Sequence, residues 1–247
     1  MESLTKKQKY VYDHGLPFPE DLVTDVIEPI IADLKRVPAI LVIDGAPGTG
    51  KTTLAVHIED YIIGKPVPLE KGSPAIAFGG TDILTKAEEC SALGWRVATL
   101  DEADLDRRGS LTKFNSNLLG FFREYRSLAI LIIVIIQNVG WLDKRLFELG
   151  VVEGLIHLHD PGKEFTRYQV YDLENLAYLL MRMEKLGLRS RKAYSIVHGY
   201  KRGQFLNLPP ARREALEILS NSQKKESRKK RVKKSLSIDK SILGDKK

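Results

Sequence analysis

The chain has 247 residues, of which 43% are hydrophobic and 29% are charged, and its mean hydropathy is −0.20. This composition is typical of a globular protein and excludes a collagen-like, wholly disordered or disulfide-stapled chain, since Cys90 has no second cysteine to pair with. The longest apolar run, Leu128–Ile136, is too short to cross a bilayer, and the N-terminus lacks a stretch of signal-peptide type. We therefore expect no membrane insertion and a cytoplasmic location, or the host cytoplasm if a virus encodes the protein.

The net charge of +7 is distributed unevenly along the chain. Residues 1–180 carry a net charge of −7, whereas residues 181–247 carry +14. The basic side chains are densest over residues 224–234, where they could bind a polyanion by displacing its counterions. Two interpretations stay open for this segment: a nucleic-acid-binding tail, or a solvated charged extension.

Hydrophobic spacing predicts helices and strands in alternation. In chain order, the predicted elements are a helix over Phe18–Lys35 interrupted at Pro29, a strand over Ala39–Ile43, a helix over Lys51–Ile63, a strand over Pro74–Phe78, a helix over Thr81–Leu93, a strand over Arg96–Leu100, a helix over Ser110–Tyr125, a strand over Ala129–Ile136, a short helix over Asp143–Leu149, a strand over Gly154–His159 and an edge strand over Thr166–Tyr171. The pattern then becomes helical from Leu173 to Leu186, a turn is predicted at Lys201–Gln204, and Pro209 and Pro210 open a last helix.

This alternation predicts an α/β protein with a mostly parallel sheet flanked by helices and a helical, basic C-terminal extension. We expect four regions in the chain: an N-terminal helical segment over residues 1–38, a core over 39–172, a helical C-terminal subdomain over 173–220, and a basic, disordered tail over 221–247.

The segment between the first strand and the following helix matches the phosphate-binding loop pattern G-x-x-x-x-G-K-[ST]. Glycines allow successive backbone N–H groups to point at phosphate oxygens, and the helix N-terminus adds positive charge beneath them. In this pattern Lys51 neutralises the β- and γ-phosphates, Thr52 offers its hydroxyl to Mg²⁺, and Thr53 lies on the α-phosphate side. The predicted nucleotide-binding residues are Gly45, Ala46, Pro47, Gly48, Thr49, Gly50, Lys51, Thr52 and Thr53.

Two adjacent acids close the predicted strand over Arg96–Leu100. Asp101 is placed to hold Mg²⁺, and Glu102 to orient and deprotonate an attacking water. A second carboxylate favours hydrolysis over simple nucleotide binding. The sequence therefore predicts an ATPase with ATP and Mg²⁺ as its cofactors.

Three further polar residues flank the most apolar strand. Gln137 follows it, at the end where the strands of a parallel sheet face a ligand, so it is either a sensor of the γ-phosphate or an amide that caps the strand. Arg123 and Arg126 precede the strand. They are either arginine fingers for the site of a neighbouring subunit or ordinary cations at a helix end.

These motifs together resemble a known family. GAPGTGKTT, TLDEAD, FFREYRS, LAILIIVIIQN and WLDKRL are similar to the additional-strand P-loop ATPases of the HerA–FtsK type, which include viral genome-packaging ATPases and the Zot-like proteins of filamentous phages. Over 39–158, the resemblance implies Glu102 as the catalytic residue, Gln137 as the sensor, and Arg126, less surely Arg123, as the finger. The chain departs from the family in having Ile136 where a threonine is common, and in lacking the membrane segment of Zot-like members.

The resemblance implies a DNA motor, an ATPase that translocates or packages double-stranded DNA as a homo-oligomeric ring such as a hexamer. The alternative is an AAA+-like ATPase that loads or remodels a partner protein in DNA replication. A GTPase is disfavoured because the stretch after Gln137 lacks the Asn-Lys-x-Asp guanine-reading motif.

Overall fold

The computed structural model describes residues 17–34, 38–70, 73, 76–78, 83–101, 108–124, 128–162, 164–187 and 191–222. These residues form a seven-stranded sheet in the order β2-β3-β4-β1-β5-β6-β7. The strands are β1 (Ala39–Gly45), β2 (Ile76–Phe78), β3 (Val97–Asp101), β4 (Leu131–Ile135), β5 (Val152–Pro161), β6 (Phe165–Tyr171) and β7 (Lys201–Leu206). Neighbouring strands are parallel from β2 to β5 in this order, whereas β6 is antiparallel to both β5 and β7. The predicted mostly parallel sheet is confirmed.

Helices cover both faces of this sheet. They are α1 (Glu20–Leu22, Val23–Ile27 and Glu28–Asp33 in one interrupted run), α2 (Lys51–Ile63), α3 (Ile83–Ala92), α4 (Arg108–Glu124), α5 (Lys144–Glu148), α6 (Leu173–Leu186) and α7 (Lys192–Ile196). A further helix, α8, spans residues 210–222 of the C-terminal part of the chain.

The two faces of the sheet carry separate hydrophobic cores. Ile40 and Val42 of β1 pack in a core with α3, α4 and α6, whereas Leu41 and Ile43 pack on the opposite face with α1 and α2. Each of these β1 side chains is fully buried. Because successive residues of a strand point to opposite faces, a strand covered on both sides must be apolar throughout, which explains the unbroken run before the loop.

The interruption of α1 corresponds to the one expected at Pro29. Over Val23–Ile27 the helix widens to a π turn, in which the Glu28 N–H donates to the Val23 carbonyl. A proline lacks the N–H that would bond to the carbonyl of residue 25, and its ring crowds that carbonyl. The wider turn accommodates this crowding without ending the helix.

Two predictions about the far side of the sheet are wrong. The strand predicted at an edge is β6, and it lies between β5 and β7. The turn predicted at Lys201–Gln204 belongs to β7, so the range 173–220 is not wholly helical. Gly203, the residue that indicated a turn, is instead needed inside the strand, because a Cβ there would overlap the hydroxyl of Tyr168.

The chain forms two compact units, Met1–Pro68 with Pro74–Asn207, and Leu69–Ser73 with Leu208–Lys247. The first contains the sheet. In the second, α8 begins as predicted after Pro209, whose carbonyl accepts the N–H of Arg213. Most of the predicted basic tail lies outside the described residues, and the predicted region boundaries stay predictions.

Candidate functional site

The loop that joins β1 to α2 is built on glycines with positive φ. The φ angle is +146° at Gly45, +79° at Gly48 and +81° at Gly50. At Gly45 a side chain is excluded by space as well, since a Cβ would lie 2.6 Å from the carbonyl oxygen of Leu158. Thr49 closes the loop by donating its hydroxyl to the Ala46 carbonyl at 2.8 Å. The loop therefore curls tightly over the start of α2, in the form that cradles phosphates.

Lys51, the first residue of α2, folds back onto this loop. Its ammonium donates to the carbonyl oxygens of Gly45 at 2.9 Å and Ala46 at 2.8 Å. Burial lowers the pKa of Lys51, the negative charges of Asp101 and Asp44 partly offset that effect, and the positive charge of Arg191 lowers the pKa further. The lysine is thus half-buried against the loop, where a phosphate oxygen could replace its two carbonyl partners.

Thr52 and Asp101 meet beside the lysine. The Thr52 hydroxyl donates to Asp101 Oδ2 at 2.9 Å. Asp101 is the last residue of β3 and pairs with Ile135 of β4, which in turn pairs with Ile43 of β1. Strand β4 thus lies between the strand of the loop and the strand of the carboxylate, and all three end at the same edge of the sheet. A hydroxyl and a carboxylate are hard oxygen ligands, so this donor set fits Mg²⁺.

The other predicted site residues differ in how far the structure places them. Gln137 is half-buried. It lies at the same edge of the sheet as Asp101, because the preceding residue, Ile136, donates its N–H to the Ile43 carbonyl of β1 at 3.0 Å. Arg123 is exposed in the last turn of α4, before β4 begins and therefore away from the strand end that leads to Gln137. Glu102 and Arg126 lie outside the described residues. The structure brings Lys51, Thr52 and Asp101 together, with Gln137 at the same edge, and the roles of all these residues stay predictions.

The sequence analysis missed Asp44, the residue directly before Gly45. Asp44 is fully buried, and its Oδ1 lies 2.7 Å from His157 Nδ1 on β5. Its Oδ2 accepts the Val139 N–H at 2.8 Å and the hydroxyl of Tyr194 on α7. The rings of His157 and Tyr194 stack, with centroids 3.6 Å apart and planes 11° apart. A charged residue closing an otherwise apolar strand was the one signal in the sequence that could have found it.

The pKa of Tyr194 is well above its usual value because the phenol is buried and faces the negative charge of Asp44. Tyr194 is therefore neutral and donates to the carboxylate.

The residues after Gln137 form a capped 3-10 turn. Asn138 is buried and accepts the Gly140 N–H on its side-chain oxygen at 2.8 Å, at the start of the turn over Val139–Trp141. The Asn138 side-chain oxygen thus caps the turn that follows Gln137.

Across the described ranges, none of the helices combines the length and the apolar character needed to cross a bilayer. In the same ranges no cluster of three or more His, Cys, Asp or Glu side chains is arranged to hold a metal ion by itself.

Neither a protein-family model nor a curated protein sequence matches the chain. Solved structures similar to it include a KaiC-like protein from the archaeon Pyrococcus horikoshii, with 13% identity and a TM-score of 0.35 over 69% of this chain and 90% of that one. The N-terminal domain of zonular occludens toxin from Neisseria meningitidis is similar at 15% identity, with a TM-score of 0.30 over 66% of this chain and 99% of that domain.

Proposed function

We propose that the chain binds ATP with Mg²⁺ and hydrolyses it. The observation that carries this proposal is the hydrogen bond from Thr52 to Asp101, 2.9 Å long, beside a glycine loop that accepts hydrogen bonds from a half-buried lysine. A loop for phosphates needs no carboxylate of its own. The carboxylate beside the Thr52 hydroxyl therefore favours a phosphate ligand that arrives with a cation.

The described residues divide the binding task among them. Loop N–H groups and the N-terminus of α2 bind the phosphates, and Lys51 exchanges its two carbonyl partners for phosphate oxygens. Thr52 and Asp101 hold Mg²⁺, directly or through water. When bound, the ion neutralises negative charge that develops on the transferred phosphoryl group.

For the hydrolytic step we propose Glu102 as the base that takes a proton from the attacking water, and Gln137 as the group that orients this water or the γ-phosphate. Glu102 directly follows Asp101 in the sequence, and Gln137 lies two residues after the end of the neighbouring strand, β4. Asp101 and Gln137 lie at the edge of the sheet at which the loop lies.

We further propose that an arginine completes the site of a neighbouring subunit in a homo-oligomeric ring. Arg123 stands before β4 begins, whereas its own chain's nucleotide loop is at the other end of that strand. An arginine so placed is better suited to a second copy's phosphates than to its own. Arg126, three residues later, is the other candidate.

We propose that the substrate translocated by this ATPase is double-stranded DNA. The charge of +14 over residues 181–247, against −7 over 1–180, provides a cationic end for a phosphate backbone. Such contacts would be weakly sequence-specific and strongly dependent on salt.

The test of the nucleotide chemistry is a pair of hydroxyl deletions. Thr52→Val removes the hydroxyl that donates to Asp101. Thr99→Val is the matched control, because Thr99 is fully buried in β3 and its hydroxyl has no hydrogen-bond partner among the described residues. ATP hydrolysis is measured with and without Mg²⁺ and double-stranded DNA. We expect Thr52→Val to lose at least tenfold in rate and Thr99→Val to match the wild type.

A second pair tests the lysine. Lys51→Ala should abolish nucleotide binding, whereas Lys144→Ala, at a surface lysine whose side chain is 87% exposed, should leave it unchanged. No Mg²⁺-dependent hydrolysis by the wild type, with or without DNA, would refute the ATPase. If the wild type hydrolyses ATP at a rate that DNA does not change, and does not bind DNA at low salt, the proposal of an ATPase stands and the proposal of a DNA motor is refuted.

A further inference from the structure

Asp44 connects three parts of the molecule at the base of the nucleotide loop. It precedes Gly45, it accepts the N–H of Val139 in the turn that follows Gln137, and it accepts the hydroxyl of Tyr194 on α7. We infer that Asp44 is a positioning residue, which fixes the turn that follows Gln137, and helix α7, in register with the phosphate loop. The inference rests on the proposed ATP hydrolysis.

The chemistry of the contacts makes Asp44 an acceptor for three donors. A backbone N–H can only donate, the neutral Tyr194 phenol donates, and His157 donates from Nδ1 to the other carboxylate oxygen. Burying a carboxylate is costly unless such bonds replace its water, and bonds to an ionised acceptor are the strong ones. Each donor is therefore needed, because the loss of any one would leave a buried lone pair of the Asp44 carboxylate without a hydrogen bond.

The contacts lie close to the groups that do the proposed chemistry. Val139 is two residues after Gln137, so the two Cα atoms are at most about 7.6 Å apart. On the other side, the Gly45 carbonyl next to Asp44 is a partner of Lys51. A shift of the Asp44 carboxylate would thus move the Gln137 turn relative to the lysine, and a misplacement of about 1 Å can cost a hundredfold in rate.

Helix α7 enters the same arrangement from the C-terminal part of the sheet-containing unit. Tyr194 bonds to Asp44 and stacks on His157, and the Tyr194 N–H bonds to the Arg191 carbonyl at 3.2 Å. Arg191 stands at the start of α7, and its charge acts on Lys51. The bond from Tyr194 thus holds a cation-bearing helix end at the phosphate loop.

Two tyrosines of the same cluster provide a matched test. Tyr194 and Tyr171 have ring centroids 6.1 Å apart, and each buries a hydrogen-bonded hydroxyl. The Tyr171 hydroxyl donates to the Val197 carbonyl at 3.0 Å and not to Asp44. Changing either to phenylalanine removes one buried hydroxyl and keeps the ring, so a general loss of packing would affect both variants alike.

The experiment compares the full-length wild type, Asp44→Asn, Tyr194→Phe and Tyr171→Phe. The readouts are kcat for ATP hydrolysis, the Kd for ATP, and hydrogen exchange of the amides over residues 137–142. We expect Tyr194→Phe and Asp44→Asn to lose at least tenfold in kcat, to change the Kd by less than threefold, and to exchange the Val139 amide faster. Tyr171→Phe should resemble the wild type in all three. If Asp44→Asn does not fold, Tyr194→Phe decides.

The inference is overturned if Tyr194→Phe and Tyr171→Phe behave alike in kcat and in exchange. A wild type without hydrolysis would refute the proposed function separately. In that case the exchange of the Val139 amide still decides, because protection that is lost in Tyr194→Phe and kept in Tyr171→Phe supports the positioning role, and equal protection in both variants overturns it.

Discussion

Two glycines of the phosphate loop should differ sharply in the cost of adding one methyl group. Gly45 and Gly48 both have positive φ, but a Cβ at Gly48 would have no heavy atom within 4 Å, whereas at Gly45 it would lie 2.6 Å from the Leu158 carbonyl oxygen. Gly48→Ala therefore costs the left-handed backbone alone, about 1–2 kcal/mol. Gly45→Ala adds a clash with a strand that is hydrogen-bonded to β1 and has no room to move.

The expected cost at Gly45 is about 1–3 kcal/mol for the backbone conformation and about 1–3 kcal/mol more for overpacking. A change of 1 kcal/mol shifts the melting temperature of a chain of this size by about 2–4 °C. We expect Gly45→Ala to melt about 2–12 °C below Gly48→Ala, which is the cost of the clash multiplied by that slope.

Differential scanning calorimetry measures this difference, with Gly120→Ala as the control. Gly120 lies inside α4 with nothing within 4 Å of its virtual Cβ, so alanine should stabilise that helix by about 0.5–1 kcal/mol. Equal melting temperatures for Gly45→Ala and Gly48→Ala would refute the close approach of Gly45 to β5.

Arg191→Ala should weaken ATP binding several-fold, with a smaller effect at high salt, because the charge of Arg191 adds to that of Lys51. Titration calorimetry at two salt concentrations measures this effect, and a loss of affinity that is independent of salt would contradict it. Glu153→Gln should raise the melting temperature at pH 7 and not at pH 3. Burial and the charge of Asp33 hold the pKa of Glu153 above its unfolded value of about 4.3, so the wild type loses stability as the pH rises through that window. Cys90 should resist a thiol reagent at pH 8 until the protein unfolds, because burial raises its pKa to about 12, and rapid labelling of the folded protein would disprove the burial.

The central strands and the loop could be predicted because local signals agree there. The run Ala39–Ile43 is apolar on both faces, glycines mark the loop, and an acid ends β3. The contact between Thr52 and Asp101 follows from such signals once the strands are parallel. Each of these features is decided by a few neighbouring residues.

The parts that escaped prediction depend on partners far apart in the chain. Strand β7 contains Gly203, where the Tyr168 side chain of β6 leaves no room for a Cβ. Without knowledge of that neighbour, the sequence of β7 resembles a turn. The contacts of Asp44 join residues 113 and 150 positions apart. A tyrosine and a histidine at that separation have no local pattern that would pair them with an acid, and only the folded sheet brings them together.

The strand order has a consequence for synthesis on the ribosome. Strand β1, which carries the phosphate loop, is hydrogen-bonded to β4 on one side and β5 on the other, and these begin at Leu131 and Val152. A nascent chain that has not yet reached Leu131 therefore has a complete loop motif on a strand whose backbone is unpaired on both sides. Such an apolar strand is prone to pair with other chains. Nucleotide binding should thus be acquired late in translation, and early-terminated fragments should aggregate rather than act as weak binders of ATP.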